Sequence, residues 1–112
     1  MEIRDEVNGQ IAIVQLSGRL TVNDQPGLLK EAICAVLGRG ARHVLLDLSG
    51  VRYIDSTRLG ELIAAHITVN RQGGRLKLVA APDRVVELLS LAGLGGIFER
   101  YSSAEEASKS LS

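Results

Sequence analysis

A single α/β domain is the fold this sequence predicts, with a mostly parallel sheet of about five strands, an antiparallel first strand and about four helices. Three observations predict it. The chain has 112 residues, the length of one ordinary domain, and no linker, low-complexity tract or internal repeat divides it. Short apolar runs alternate with stretches of helical periodicity in the order β-β-α-β-α-β-α-β-α, the pattern of parallel strands joined by right-handed crossovers. Asn8-Gly9 separates the first two runs, and that pair suits the positive φ angles of a type I′ hairpin turn.

The elements follow in order. Glu2 to Val7 and Gln10 to Leu16 are the two antiparallel strands. From about Asp24 to Leu37, the residues Leu29, Ala32, Ile33 and Val36 recur at i, i+3, i+4 and i+7, with Asp24 as N-cap, Pro26 in the first turn and Gly38 at the end. His43 to Leu48 reads as a buried strand, and Ser49 to Asp55 as the loop after it. A second helix starts near Ser56, carries the stripe Leu59, Leu62, Ile63, His66, Ile67 and Asn70, and runs to Gln72 before Gly73-Gly74 stops it. Leu76 to Val79 is the next strand, Asp83 to Ala92 the next helix, and Ile97 to Arg100 a last short strand. Ser103 with Glu106 forms a capping box for a final helix carrying Ala104, Ala107 and Leu111.

Composition narrows the function. Hydrophobic residues make up 46% of the chain, enough for a core, and 13 Lys plus Arg balance 13 Asp plus Glu. No surplus of positive charge is available to bind a nucleic-acid backbone, and an aromatic content of 3% offers no stacking surface. The longest mostly apolar stretch, Leu62 to Val69, is far short of the roughly 20 residues that cross a bilayer. Neither membrane insertion nor a secretory signal is expected. Cys34 is alone and has no internal disulfide partner, so a cytoplasmic setting is the expectation.

In open parallel sheets the working surface lies at the carboxyl ends of the strands, which directs attention to Ser49 to Asp55 and the start of the second helix. Ser56 does not sit in a G-x-S-x-G elbow. His43 opens a strand and His66 falls in the apolar stripe, so both read as partly buried histidines held by local hydrogen bonds rather than as members of a triad. No phosphate-cradling glycine loop precedes a helix, and Gly93, Gly95 and Gly96 read as a helix stop and a turn. One cysteine and two distant histidines give no metal-ligand spacing. No catalytic residue, metal or cofactor is expected. Asp55-Ser56-Thr57 remains: ordinary N-cap residues, yet also a favourable place for a phosphate, because unpaired backbone N–H groups and the positive helix end stabilise it there.

Val51-Arg52-Tyr53-Ile54-Asp55-Ser56-Thr57, preceded by Val44-Leu45-Leu46-Asp47-Leu48-Ser49-Gly50, resembles the signature of the STAS domain, in particular of the bacterial anti-sigma factor antagonists. Gly18-Arg19-Leu20, Gly73-Gly74-Arg75-Leu76-Lys77-Leu78 and Val86 to Leu94 are similar to the family's pattern in the same order, so the resemblance spans about residues 3–107 of a single domain, 1–112. It implies a phosphoprotein without enzymatic activity. Ser56 would be phosphorylated by an anti-sigma factor serine kinase and dephosphorylated by a PP2C-type phosphatase. The unmodified form would bind the kinase and free a sigma factor, and phosphorylation would release it. The same family also implies two other roles, an accessory subunit of a transport ATPase and a small-ligand-binding module. Where the family pattern has glycine after Asp-Ser-[Ser/Thr], this chain has Arg58, and where it has an acid after Gly-x-Leu, this chain has Thr21.

A partner face follows from helical phase. At about 100° per residue, Thr57, Arg58, Glu61, Ala64, Ala65 and Thr68 fall opposite or beside the stripe, and together with Asp55, Ser56 and Thr21 they form the expected partner-binding surface. Arg58 is expected to be exposed, paired with Glu61 at i, i+3 and within reach of a phosphate on Ser56.

Overall fold

Val14, Leu16, Val44, Leu46 and Leu48 alternate along two strands and need one buried face, which sets the register of the sheet. In the computed structural model, which describes residues 1–21 and 27–111, β1 (Glu2–Asn8) pairs antiparallel with β2 (Ile11–Leu20). The hairpin forms one residue later than expected: Asn8 pairs with Ile11 as the last residue of β1, and the two-residue turn is Gly9-Gln10. Gly9 has φ 63° and Gln10 a negative φ, so the type I′ turn on Asn8-Gly9 gives way to a turn with glycine at its first central position. Then β3 (His43–Ile54), β4 (Leu76–Val79) and β5 (Glu99–Tyr101) join in parallel, in the spatial order β1-β2-β3-β4-β5.

Right-handed crossovers that always step the same way return on the same side, so α1 (Leu28–Gly38), α2 (Ser56–Arg71) and α3 (Asp83–Leu91) cover one face. Leu29, Ile33 and Val36 of α1, Leu59 and Leu62 of α2, and Val85 and Leu89 of α3 bury against Val14, Leu16, Val44, Leu46, Leu76 and Leu78. Each fully buried aliphatic side chain contributes roughly 1.5–3 kcal/mol. Beneath the other face lies a smaller core of Leu45, Val79 and Ala107, the last from α4 (Ala104–Lys109).

Half of the expected capping box starts α4: Ser103 Oγ accepts from the Glu106 N–H at 3.2 Å, but the Glu106 carboxylate reaches one residue past the N-cap and accepts from the Ser102 N–H at 3.1 Å rather than from that of Ser103. Lys77 holds the same helix to the sheet. Its ammonium, 5% exposed as a residue, donates to Glu99 Oε2 at 2.6 Å, Ser110 Oγ at 2.8 Å and the Tyr101 hydroxyl at 3.3 Å. Burial disfavours the charge, but the bonds to Glu99 and Tyr101 outweigh it and hold the Lys77 pKa above its ordinary value. The Glu99 carboxyl is lowered in turn, first by its hydrogen bond from Lys77.

Further expectations change. The stretch expected to be a loop after Leu48 is strand: β3 continues to Ile54 and pairs with the second half of β2. Ser49-Gly50 breaks the apolar pattern because β3 takes in an extra residue between the Gln15↔Asp47 and Ser17↔Gly50 pairs, and another before Arg19↔Tyr53. Asp47 Oδ1 accepts the Ser49 N–H at 2.9 Å at the first of these. A Cβ on Gly50 would lie 2.8 Å from the Ser17 Cβ, so only glycine fits without movement. At the far edge, the last strand begins at Glu99, with Phe98 buried ahead of it and Ile97 41% exposed. The expected N-cap Asp24 and Pro26 lie outside the described residues, and α1 starts at Leu28 behind Gly27, whose φ is 84°.

Candidate functional site

The extended β3 delivers its carboxyl end directly into α2. Asp55 sits between them in an extended conformation. Its N–H donates to the Leu20 carbonyl at 2.9 Å, tying it to the end of β2, while its Oδ1 accepts from the Arg58 N–H at 2.9 Å as the α2 N-cap. Ser56 and Thr57 are therefore the first two residues of the helix, and both are exposed. The first N–H groups of a helix have no intrahelical partner. Asp55 takes that of Arg58, which leaves those of Ser56 and Thr57 for a group at the helix mouth, where the macrodipole also favours negative charge.

Arg58 departs from its expected exposure. It is 2% exposed, with its Nε donating to the Thr21 carbonyl at 3.1 Å and its Nη1 to Glu61 Oε1 at 2.7 Å. The i, i+3 pair with Glu61 is present, but it is a part-buried link rather than a solvent contact, and the guanidinium ties α2 to the chain just after β2. Arg58 lies two positions after Ser56, about 200° around the helix, so its side chain points away from a phosphate there.

Helical phase explains this together with a second difference. The buried residues of α2 are Arg58, Leu59, Leu62, Ala65 and Val69, a stripe turned from the expected one toward Ala65. Ile67 is 44% exposed, whereas Ala65 is 6% exposed and belongs to the core. The turn arises because α1 packs beside α2, and the small Ala65 lets the two approach. Between them runs a groove of about 250 Å³ lined by Ile33, Cys34, Glu61, Ala64, Ala65 and Thr68, with Gly27 and Lys30 at one side. Glu61, Ala64 and Thr68 thus share one surface near Ser56 and Thr57, and α1 contributes residues to it that periodicity within α2 does not reveal. Ala65→Trp is expected to destabilise the fold by about 1–3 kcal/mol or more through overpacking, and Ala64→Trp, at an exposed position, to leave the urea midpoint nearly unchanged. Equal losses in the two variants would contradict this phase.

On the β2–β3 side, the Arg19 guanidinium lies 4.8 Å from the centroid of the Tyr53 ring. The register shifts that bring Arg19 opposite Tyr53 leave no trace in periodicity, so this contact beside the site is not legible beforehand.

The histidines sit apart from Ser56. His66 Nε2 lies 3.0 Å from Asn70 Nδ2, and the ring meets Phe98 edge-on at 5.4 Å between centroids. His43 accepts the Arg75 N–H on Nδ1 at 3.0 Å, a bond only the unprotonated nitrogen makes. Burial, then the charges of Arg42, Arg75 and Lys77, lower its pKa from the ordinary 6.5. The unfolded chain therefore takes up this proton more readily. The stability His43 contributes is complete above about pH 6.5 and is lost as the pH falls from there through the lower folded value. Urea midpoints are expected to drop between about pH 7 and pH 5, with a smaller drop in His43→Gln.

Ser56 thus stands exposed at a strand-to-helix junction, at the carboxyl end of the sheet of a small, mostly parallel α/β domain. A family profile described as "Mlab, STAS domain" matches residues 3–99. The chain belongs to the STAS domain family. It is 32% identical over 92 residues to the anti-sigma-B factor antagonist of Bacillus subtilis (strain 168), covering 82% of this chain and 83% of the relative. The crystal structure of an anti-sigma factor antagonist from Mycobacterium paratuberculosis superposes with a TM-score of 0.82 at 25% identity, covering 97% of this chain and 92% of that one. The Bacillus cell fate determinant SpoIIAA in its phosphorylated form shares the fold, with a TM-score of 0.73 at 16% identity over 99% of this chain and all of that one, 100%.

Proposed function

We propose that this chain is an anti-sigma factor antagonist that works by partner switching at Ser56. The unmodified protein binds an anti-sigma factor that is also a serine kinase, and a sigma factor is thereby freed. The kinase transfers phosphate to the Ser56 hydroxyl, the modified protein lets go, and a PP2C-type phosphatase restores it. The observation that carries this reading is the exposed Ser56 at the first position of α2, fixed by the Asp55 cap and its tie to Leu20. The names of the relatives support it, as does the phosphorylated form in which SpoIIAA is known. The partner face comprises Ser56, Thr57, Glu61, Ala64 and Thr68, with Asp55, Arg58, Thr21 and Ala65 supporting it from beneath.

Incubation with the cognate kinase and ATP, followed by mass spectrometry, tests the assignment. Phosphate is expected on Ser56 alone, and none in Ser56→Ala. Label retained in Ser56→Ala, or found on Thr57, would overturn it.

A further inference from the structure

The opposite end of the sheet carries a concentration of positive charge that the neutral overall balance conceals. Arg42 Nε donates to the Gly73 carbonyl at 3.1 Å, and Arg75 Nη1 to the Gly74 carbonyl at 3.1 Å. Two guanidinium groups are thus anchored on consecutive carbonyls of one turn. Arg71, the last residue of α2, precedes the same turn, and His43 is bonded to the Arg75 N–H. The Gln72 side chain donates to the Arg42 carbonyl at 3.0 Å and closes the turn onto the start of β3.

All three arginines are exposed. Among the described residues no carboxylate pairs with any of them: Asp5 is held by Arg39 at 2.7 Å, and Glu99, within electrostatic range of Arg75, is engaged by Lys77 at 2.6 Å. Anchoring by neutral carbonyls fixes the geometry of Arg42 and Arg75 without cancelling their charge. Both terminal nitrogens of Arg42, and Nε and Nη2 of Arg75, make no hydrogen bond among the described residues.

We propose that Arg42, Arg71 and Arg75 form a docking surface for an acidic segment of a partner protein. A guanidinium fork matches a carboxylate with two parallel hydrogen bonds, and forks held in place in advance lose less freedom on binding. Carboxylates suit the surface better than nucleic acid does. Nucleic-acid backbone affinity grows with the number of phosphates neutralised, three guanidinium groups at one turn offer few such contacts, and none of the residues from Arg71 to Arg75 is aromatic. The twelve-residue strand β3 runs from His43 beside this surface to Ile54 beside Ser56, so the two surfaces lie at opposite ends of the sheet and can be occupied together.

Titration with hexaglutamate, followed by amide and His43 ring resonances, tests the proposal. Shifts are expected at Arg42, His43 and Gly73 to Arg75, with His43 titrating at higher pH as its cationic neighbours are neutralised. Arg42→Gln/Arg75→Gln is expected to weaken binding about tenfold, the effect of two exposed charge contacts. Arg71→Glu, which breaks no hydrogen bond or ion pair among the described residues, is expected to weaken it similarly while lowering the melting temperature by no more than the few degrees that reversing one exposed charge in the last turn of α2 costs. Unmoved resonances at millimolar peptide, binding unaffected by Arg71→Glu, or tighter binding of a single-stranded oligonucleotide of equal charge would each overturn the proposal.

Discussion

Arg58→Ala is expected to lower the stability of the domain by about 3 kcal/mol, the largest loss for any polar substitution at the site. The reason lies in what is left behind. The Glu61 carboxylate has one oxygen on Arg58 Nη1 and the other, Oε2, buried with no hydrogen-bond partner among the described residues. Removing the guanidinium strands that charge and frees the Thr21 carbonyl from its donor, and breaking one side of a buried pair costs about 3–5 kcal/mol where burial is complete. Glu61 retains some exposure, 23% of its side chain, which sets the expectation at the lower end. Adding Glu61→Ala to Arg58→Ala should recover part of the loss, since both halves of the pair are then gone. Urea unfolding followed by circular dichroism measures all three variants. A change below about 0.5 kcal/mol for Arg58→Ala would mean that the arginine behaves as an ordinary surface residue.

Phosphorylation of Ser56 is expected to weaken binding to the anti-sigma factor by a hundredfold or more, while slightly stabilising the free protein. These effects have opposite signs because the same dianion meets two environments. In the free protein it faces the unpaired N–H groups of Ser56 and Thr57 and the positive end of α2, a contribution of about 0.3–1 kcal/mol. In a complex, about two charges must be desolvated in a fitted interface, and a loss of about 3 kcal/mol is a factor of more than a hundred in affinity. Ser56→Glu, with one charge and a different shape, should weaken binding by about tenfold, and Ser56→Ala should bind nearly as the unmodified chain does. Isothermal titration of the four forms against the anti-sigma factor gives these ratios. Equal affinities for the phosphorylated and unmodified forms would contradict the proposed switch.

Much of this molecule is legible in its sequence, and the parts that are not share a physical cause. The hairpin between the first two strands (though its turn falls on Gly9-Gln10, one residue after the expected pair), the order of the elements, the stop at Gly93 and the Ser103–Glu106 cap all depend on residues within one turn or one strand of each other. The placement of Asp55 and Ser56 at the head of α2 follows in the same way. Two sites depend instead on contacts between distant segments. Ser49-Gly50 looks like a loop because the bulges that carry β3 through it become visible only once β2 lies alongside. Arg58 and Ala65 look exposed because the expected stripe of α2 considers only the sheet beneath. The chain after β2 claims Arg58 through Thr21, and α1 claims Ala65. An arginine where the family pattern has glycine thus faces inward and supports the helix that presents Ser56.

Release of a labelled sigma factor from its preformed complex with the anti-sigma factor, followed by fluorescence anisotropy as this protein is added, tests partner switching most directly. The unmodified chain is predicted to release the sigma factor at near-stoichiometric addition, and the Ser56-phosphorylated chain to leave it bound until a PP2C-type phosphatase is supplied. Release by both forms alike, or by neither, would contradict the account.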